Sequence, residues 1–416
     1  MKDMTKQEII STLMKNSTKK DRRLRILWSS NSVWSVSGYG VYSRDLLYRF
    51  LDDGWQVAMS AFYGLEGGII TVDGLKCYPK MGEPWGADAM FFHQQDYKAD
   101  CVITMQNPWP MDPNWLFKVK NWIAYIPIEF EDVSVPNFQR LSKAYRLISL
   151  SKFGHDALLR KGLHSTLILE AVDTNIFKPE DKMAVRKEVG LPTEEMFLWG
   201  MVAANKDNPP RKSFQHCMDA FKKFSENHKD KKTAMYFHTL LQQAGGFPIQ
   251  DYAAHLGISK QIFYTPAYDL MMKSPHPVVN KYMNTFDVLL NPSSGEGFGL
   301  PIYEAQACGK PVIVNDWTAM PESVIPGVTG EICKHGYPTW LNLGTCSAEP
   351  DFDSLYEKME TIYKYARDEK TKKACRDRIV KDFDIDDRVK KVWVPYLESL
   401  QTSILGPLVD NQVKKV

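Results

Sequence analysis

The chain has 416 residues, 44% hydrophobic and 25% charged, with a formal net charge of +2 at pH 7. That length favours two domains over a single core, and the near-neutral charge gives no electrostatic reason for a nucleic-acid partner. No apolar run reaches the ~20 residues of a membrane-spanning helix. Seven cysteines, at 77, 101, 217, 308, 333, 346 and 375, form no CxxC pair, the pattern expected of reduced core thiols in a cytosolic protein.

Residues 1–23 are expected to form a short amphipathic helix with Ile9, Ile10, Leu13 and Met14 on one side, without the apolar h-region of a signal peptide. Residues 1–25 carry eight Lys and Arg against three Asp and Glu. Such an extension is either a solvated tail or a contact to an anionic membrane surface, so the expected location is cytoplasmic with membrane association open.

Leu24 to Trp28 reads as a strand running into Ser29-Ser30-Asn31. Ser37-Gly38-Tyr39-Gly40 follows, then a helical run from Val41 to Gly54, and Gln56 to Ala61 is the next strand. GxGxxG is absent, which argues against a dinucleotide fingerprint and a nicotinamide dehydrogenase. Two glycines before a helix still allow close backbone approach to a phosphate.

Further strands are predicted at Cys101–Met105, Trp122–Pro127 and Leu147–Leu150, the last leading through Ser151-Lys152-Phe153-Gly154 into a helix ending at Arg160. The first domain should end near Leu169, with the turn-rich AVDTNIFKP, Ala171 to Pro179, as linker. A second alternating series has strands at Phe197–Val202, Thr233–His238, Gln261–Tyr264, Val288–Leu290 and Pro311–Val314, then mostly helix from Leu355 to about Leu400. Strands alternating with helices imply parallel sheets covered on both faces, so the fold class is α/β with two Rossmann-like halves and a cleft between them.

The stretch from Phe286 to Glu322 carries the chemistry. After the apolar run Val288–Leu290, Asn291-Pro292-Ser293-Ser294-Gly295 stops the strand, and a glycine-rich loop with Glu296 enters a helix over Pro301–Ala307 that carries Glu304. The spacing lets both glutamates face the crevice at the strand's carboxyl end, where open parallel sheets bind ligands. A helix N-terminus suits phosphate or sugar oxygens, and Gly297 and Gly299 let backbone approach them. The plain structural alternative is a tight turn with one capping carboxylate.

This stretch resembles the E-x7-E signature of retaining, GT-B fold glycosyltransferases of family 4. SGYGVYSRDL (37–46) is similar to that family's first glycine loop, AVDTNIFKP to its interdomain passage, ANKDNPPRK (204–212) to its basic donor loop and AMPE (319–322) to its turn after the donor helix. The resemblance spans roughly residues 24–400. It implies an acceptor domain over 24–172, a nucleotide-sugar donor domain over 173–380 and C-terminal helices within 381–416 crossing back to the first domain.

It also implies a division of labour. Arg211 and Lys212, with Lys206, would meet the donor diphosphate, together with Gly38 and Gly40 from the first domain and the backbone N–H groups of Phe298, Gly299 and Leu300. Lys206 stands where the family usually has an arginine. Glu296 would hold the donor sugar and Glu304 the ribose, while the loop from Thr265 to Tyr268 would lie beside the base. Glu129 stands near the place of a family histidine and, with Tyr39, is a candidate for the sugar or acceptor side. Glu322 is expected to cap the helix that follows it.

The expected activity is transfer of a hexose from a UDP- or GDP-sugar, with no further cofactor and no metal. The strings Asp351-Phe-Asp353 and Asp384-Ile-Asp386 lie too late in the chain for a metal site of the other glycosyltransferase fold. The acceptor stays open between saccharide, lipid, protein, small metabolite and nucleic-acid base, as does the oligomeric state. Trp85, Trp109 and Trp115 offer, with Tyr39, aromatic surface for sugars or bases. A nucleotide-sugar epimerase and a non-catalytic sugar-nucleotide binder are the competing classes.

Overall fold

The structure, a computed structural model, describes residues 22–206, 210–272 and 276–406. The expected N-terminal helix, part of the basic loop after Lys206 and the last ten residues lie outside them. None of the described helices is long and apolar enough to cross a membrane.

Two sheets organise the chain. The first has eight strands, β1 (Arg25–Asn31), β2 (Gln56–Tyr63), β3 (Ile70–Val72), β4 (Leu75–Tyr78), β5 (Cys101–Met105), β6 (Trp122–Ile126), β7 (Arg146–Ser149) and β8 (Ser165–Leu167). Their spatial order is β3-β4-β2-β1-β5-β6-β7-β8, parallel except for the β3–β4 pair. The second has β9 (Phe197–Val202), β10 (Thr233–His238), β11 (Ile262–Tyr264), β12 (Val288–Asn291), β13 (Val312–Asn315) and β14 (Gly330–Cys333). It is all parallel, in the order β11-β10-β9-β12-β13-β14. A small hairpin of β15 (Thr339–Trp340) and β16 (Cys346–Ser347) follows.

The central strands are buried along most of their length because helices cover both faces, which is why they read as apolar runs rather than alternating ones. The expected strands over 101–105, 197–202 and 233–238 match to the residue. The first helix spans Gly38–Asp52 and so begins three residues before the expected Val41. Ser37 sets that start: its hydroxyl accepts from the Gly40 N–H at 3.2 Å and from Asn31 Nδ2 at 2.7 Å.

The C-terminal helix, Val394–Leu405, returns to the first sheet. Trp393 makes edge-on ring contacts with Trp28, Phe50 and Tyr125 at 6.0, 5.6 and 5.3 Å, and the Gln401 side chain accepts from the Leu24 N–H. Residues 171–179 join the two sheets but are not a loose tether. Ala171, Val172 and Phe177 are buried, and Val172 bonds Phe383 and Ile385 through its backbone. Asp351 and Asp384 cap helix starts, with Ser354 N and Asp386 N as their respective donors.

Candidate active site

The site forms where the β12–helix turn meets the loop after β9. Beyond Asn291 every residue to Phe298 is buried, and Gly299, at φ +89°, turns the chain into the helix Leu300–Ala307. Asn315 Nδ2 holds the Ser293 carbonyl at 3.1 Å, and Thr318 Oγ1 accepts the Glu296 N–H at 3.0 Å. The Arg211 carbonyl accepts the Ser294 N–H at 2.8 Å, which pins the basic loop to the turn.

These contacts aim Glu296 between two cations. Its Oε2 is 3.0 Å from Arg211 Nη1, and its Oε1 binds Lys212 Nζ and, at 2.8 Å, Ser293 Oγ. Burial by itself would raise the Glu296 pKa, but Lys212 and Arg211 outweigh it and hold the carboxyl at about 2. Burial, with the like charge of Arg211 beside it, lowers the Lys212 ammonium. The N–H groups of Phe298, Gly299 and Leu300 donate to no acceptor among the described residues. Three unpaired donors at a helix N-terminus beside two cations make a cradle for a phosphate anion.

The first sheet closes the site from the other side. Glu129, after β6, lies 3.9 Å from Arg211 and accepts from Asn107 Nδ2 at 3.2 Å. Tyr39 lies in the first turn of its helix, in the field of Glu129, Arg211, Glu170 and Glu296; burial first, then Glu129, raises its phenol well above the usual range. Gly38 faces Leu300, whose Cδ1 would lie 3.8 Å from a Cβ there. Gly40 is turned away: a Cβ on it would meet the carbonyls of Ser32 and Ser35 at 2.6 Å. The folded loop beneath it is enough to require glycine there.

The glycine-rich loop shows the same shift of purpose. Gly297 faces Pro127 across the crevice, 2.7 Å from where a Cβ would sit, and Gly295 presses on the Glu129 carbonyl. Gly297 was expected to admit a ligand and Gly295 only to turn the chain; in the structure both admit the opposite half of the molecule. Phe298 stacks on Tyr303 at 4.1 Å, leaving its backbone rather than its ring to the site.

Glu304 is buried, and burial, with Asp45 nearby, raises its pKa to about 8. Its carboxylate accepts no hydrogen bond from the described residues. Two groups that sequence reasoning passed over join it. Glu170, at the end of the passage after β8, is buried and raised to about 8 by burial and by the charges of Glu296 and Glu304. Asp45, on the Gly38–Asp52 helix, is raised by burial to about 7. Signals for both were present: Glu170 ends the apolar run Leu167-Ile168-Leu169, and Asp45 stands three residues from Tyr42 on the buried helical face.

Lys206 is not brought to the cluster; it is exposed and pairs with no described residue. Thr265 is buried, its hydroxyl shared with Tyr236 and His238 at 2.7 and 2.8 Å, so its own side chain is engaged within the domain, while Tyr268 at the end of the same loop is exposed. Glu322 caps a helix, but not the one that follows it. Its carboxylate accepts the Lys152 N–H at 2.9 Å and the Phe153 N–H, at the start of the first-domain helix Lys152–Arg160.

Comparison with known proteins places this geometry. Residues 207–367 match the family model for Glycosyl transferases group 1. D-inositol 3-phosphate glycosyltransferase of Mycobacterium tuberculosis H37Rv is 29% identical over 172 residues, 41% of this chain and 33% of that protein. The chain thus matches about a third of the length of these curated relatives. Sucrose-phosphate synthase from Thermosynechococcus elongatus superposes with a TM-score of 0.72 at 17% identity, over 91% of this chain and 99% of the other. HepE of Anabaena in complex with UDP-glucose gives 0.65 at 15% identity, over 90% and 99%. The fold is therefore GT-B, two Rossmann-like domains, as the sequence led us to expect.

Proposed function

We propose that this chain is a retaining, metal-independent glycosyltransferase of family 4 type, which moves a hexose from a nucleoside-diphosphate sugar to an acceptor hydroxyl. One observation carries the reading: a buried carboxylate, Glu296, locked between Arg211 and Lys212 directly before a helix N-terminus with three N–H groups that find no acceptor among the described residues. The matched family segment contains all of these residues, and the neighbouring HepE structures hold UDP and UDP-glucose.

In this reading the donor diphosphate lies against Arg211, Lys212 and the N–H groups of Phe298, Gly299 and Leu300. Negative charge grows on the leaving phosphate as the bond from sugar C1 to phosphate oxygen breaks, and fixed cations and dipoles there lower the barrier. The same cations supply the charge for which other enzymes use a metal. Glu296 orients them and accepts from the hexose hydroxyls, and Glu304 meets the ribose.

The acceptor oxygen bonds to C1 on the face the phosphate leaves, and its proton passes to a phosphate oxygen, so the anomeric configuration is kept. No acid–base pair like that of a glycosidase is needed. Glu129 and Tyr39 line the acceptor side. NMR of the product from an α-linked donor tests the stereochemistry: an α-glycoside is expected, and a β-glycoside refutes the retaining assignment.

A further inference from the structure

The carboxyl ends of the first sheet carry exposed aromatic side chains in an unbroken series. In spatial order, Trp85 follows β4, Tyr63 ends β2, Trp34 follows β1 and Trp109 follows β5; Glu129 follows β6 at the crevice. Their exposures are 41, 62, 40 and 37%. Adjacent strands lie about 4.8 Å apart, so the series runs roughly 20 Å along the sheet edge to the site.

The series is built, not scattered. The Trp34 indole donates to the Gly64 carbonyl at 2.7 Å, and the Tyr63 carbonyl accepts the Ser32 N–H at 2.9 Å. The Phe62 and Trp85 rings lie 6.2 Å apart, the Trp85 carbonyl accepts from Gln106 Nε2 at 3.3 Å, and Asn107 binds Glu129. The Trp34 and Trp85 rings are thus held before any ligand arrives, which lowers the ordering cost of binding.

Charge decides what such faces suit. A platform for single-stranded nucleic acid pairs aromatic rings with a cationic groove for the phosphates. Here residues 32–37, 64–69, 79–86, 106–112, 127–134 and 150–153 hold six carboxylates and two lysines. One of those lysines, Lys80, is paired with Glu66 at 2.5 Å. Carboxylates beside aromatic faces suit hydroxyl-rich, uncharged rings: the apolar face of a sugar stacks, and its hydroxyls donate outward.

We infer that the acceptor is an uncharged oligosaccharide, laid across Trp85, Tyr63, Trp34 and Trp109 with its terminal hydroxyl at Glu129. This rests on the transferase reading for the reaction, but not for the binding. The test titrates the full chain with maltotetraose, cellotetraose, chitotetraose and mannotetraose, with the matching disaccharides, and with a single-stranded oligodeoxynucleotide, following tryptophan fluorescence. Trp34→Ala and Trp85→Ala are titrated in parallel, with melting temperature as the control for folding.

At least one tetraose is expected to bind, about tenfold or more tighter than its disaccharide. Each variant should lose about three- to tenfold in that affinity at unchanged melting temperature. Absence of tetraose binding, indifference to chain length, preference for the oligodeoxynucleotide, or a dimer of this chain that Trp85→Ala dissolves would each overturn the inference. Tetraose binding in a protein that turns over no nucleotide sugar would refute the transferase reading and leave the saccharide surface standing.

Discussion

Gly295 of the donor-side loop rests on the Glu129 carbonyl of the opposite domain, so closely that a Cβ at Gly295 would overlap that oxygen. Gly297 stands against Pro127 in the same way, and Glu131 and Cys346 form an antiparallel bridge nearby. The loop that carries Glu296 is thus also the surface on which the two halves meet.

Alanine at Gly295 or Gly297 should therefore hold the halves apart while each folds. Small-angle scattering is expected to show a larger radius of gyration. Transfer should fall on the order of a hundredfold, the cost of misplacing reacting groups by about 1 Å. Unchanged scattering and turnover would show that the contact does not set the geometry.

The Glu322 carboxylate caps a helix across the interface. Glu322→Ala should cost about 1 kcal/mol, the usual worth of a cap. Hydrogen exchange should quicken at the start of the Lys152–Arg160 helix. Equal exchange in both proteins would contradict the cap.

Glu170 and Glu304 have folded pKa values raised from 4.5 to about 8. Between those values the folded chain binds more protons than the unfolded one. Their stabilising contribution is full below the unfolded pKa and is lost as pH rises through about 8. Glu170→Gln should flatten the fall in melting temperature between about pH 5 and 9. Parallel curves for the two proteins would mean that Glu170 is not buried as described.

Lys212→Ala should weaken nucleoside-diphosphate binding by about ten- to a hundredfold, the range for a hydrogen bond to a charged group. Calorimetry with UDP and GDP reads this directly. Equal affinity would remove Lys212 from the donor site.

How much of this was legible in the sequence follows from where the signals are local. Buried parallel strands are continuous apolar runs closed by turn residues, so Cys101–Met105 and Phe197–Val202 were readable without any tertiary knowledge. That Glu296, Arg211 and Lys212 share one site was anticipated from the family resemblance, and it follows from their places at carboxyl ends of neighbouring strands, β12 and β9; the direct ion pairing among them was not anticipated. What stayed hidden was contact between the halves. Nothing local tells Gly295 or Gly40 from a ligand-admitting glycine, and the cross-domain cap by Glu322 depends on where a distant helix begins. Glu170 was passed over because a single acid after an apolar run resembles a strand end until Glu296 and Glu304 are placed around it.

In the proposed reaction Glu296, held by Arg211 and Lys212, organises transfer from a nucleotide sugar. The most direct measurement is release of nucleoside diphosphate across UDP-, GDP- and ADP-sugars by the wild-type chain and by Glu296→Gln, whose side chain keeps the shape without the charge. The wild type is expected to turn over one such donor, and the variant to lose most of that turnover while remaining folded. A wild type that releases nucleotide from none of them, or a variant that matches it, would rule out this role for Glu296.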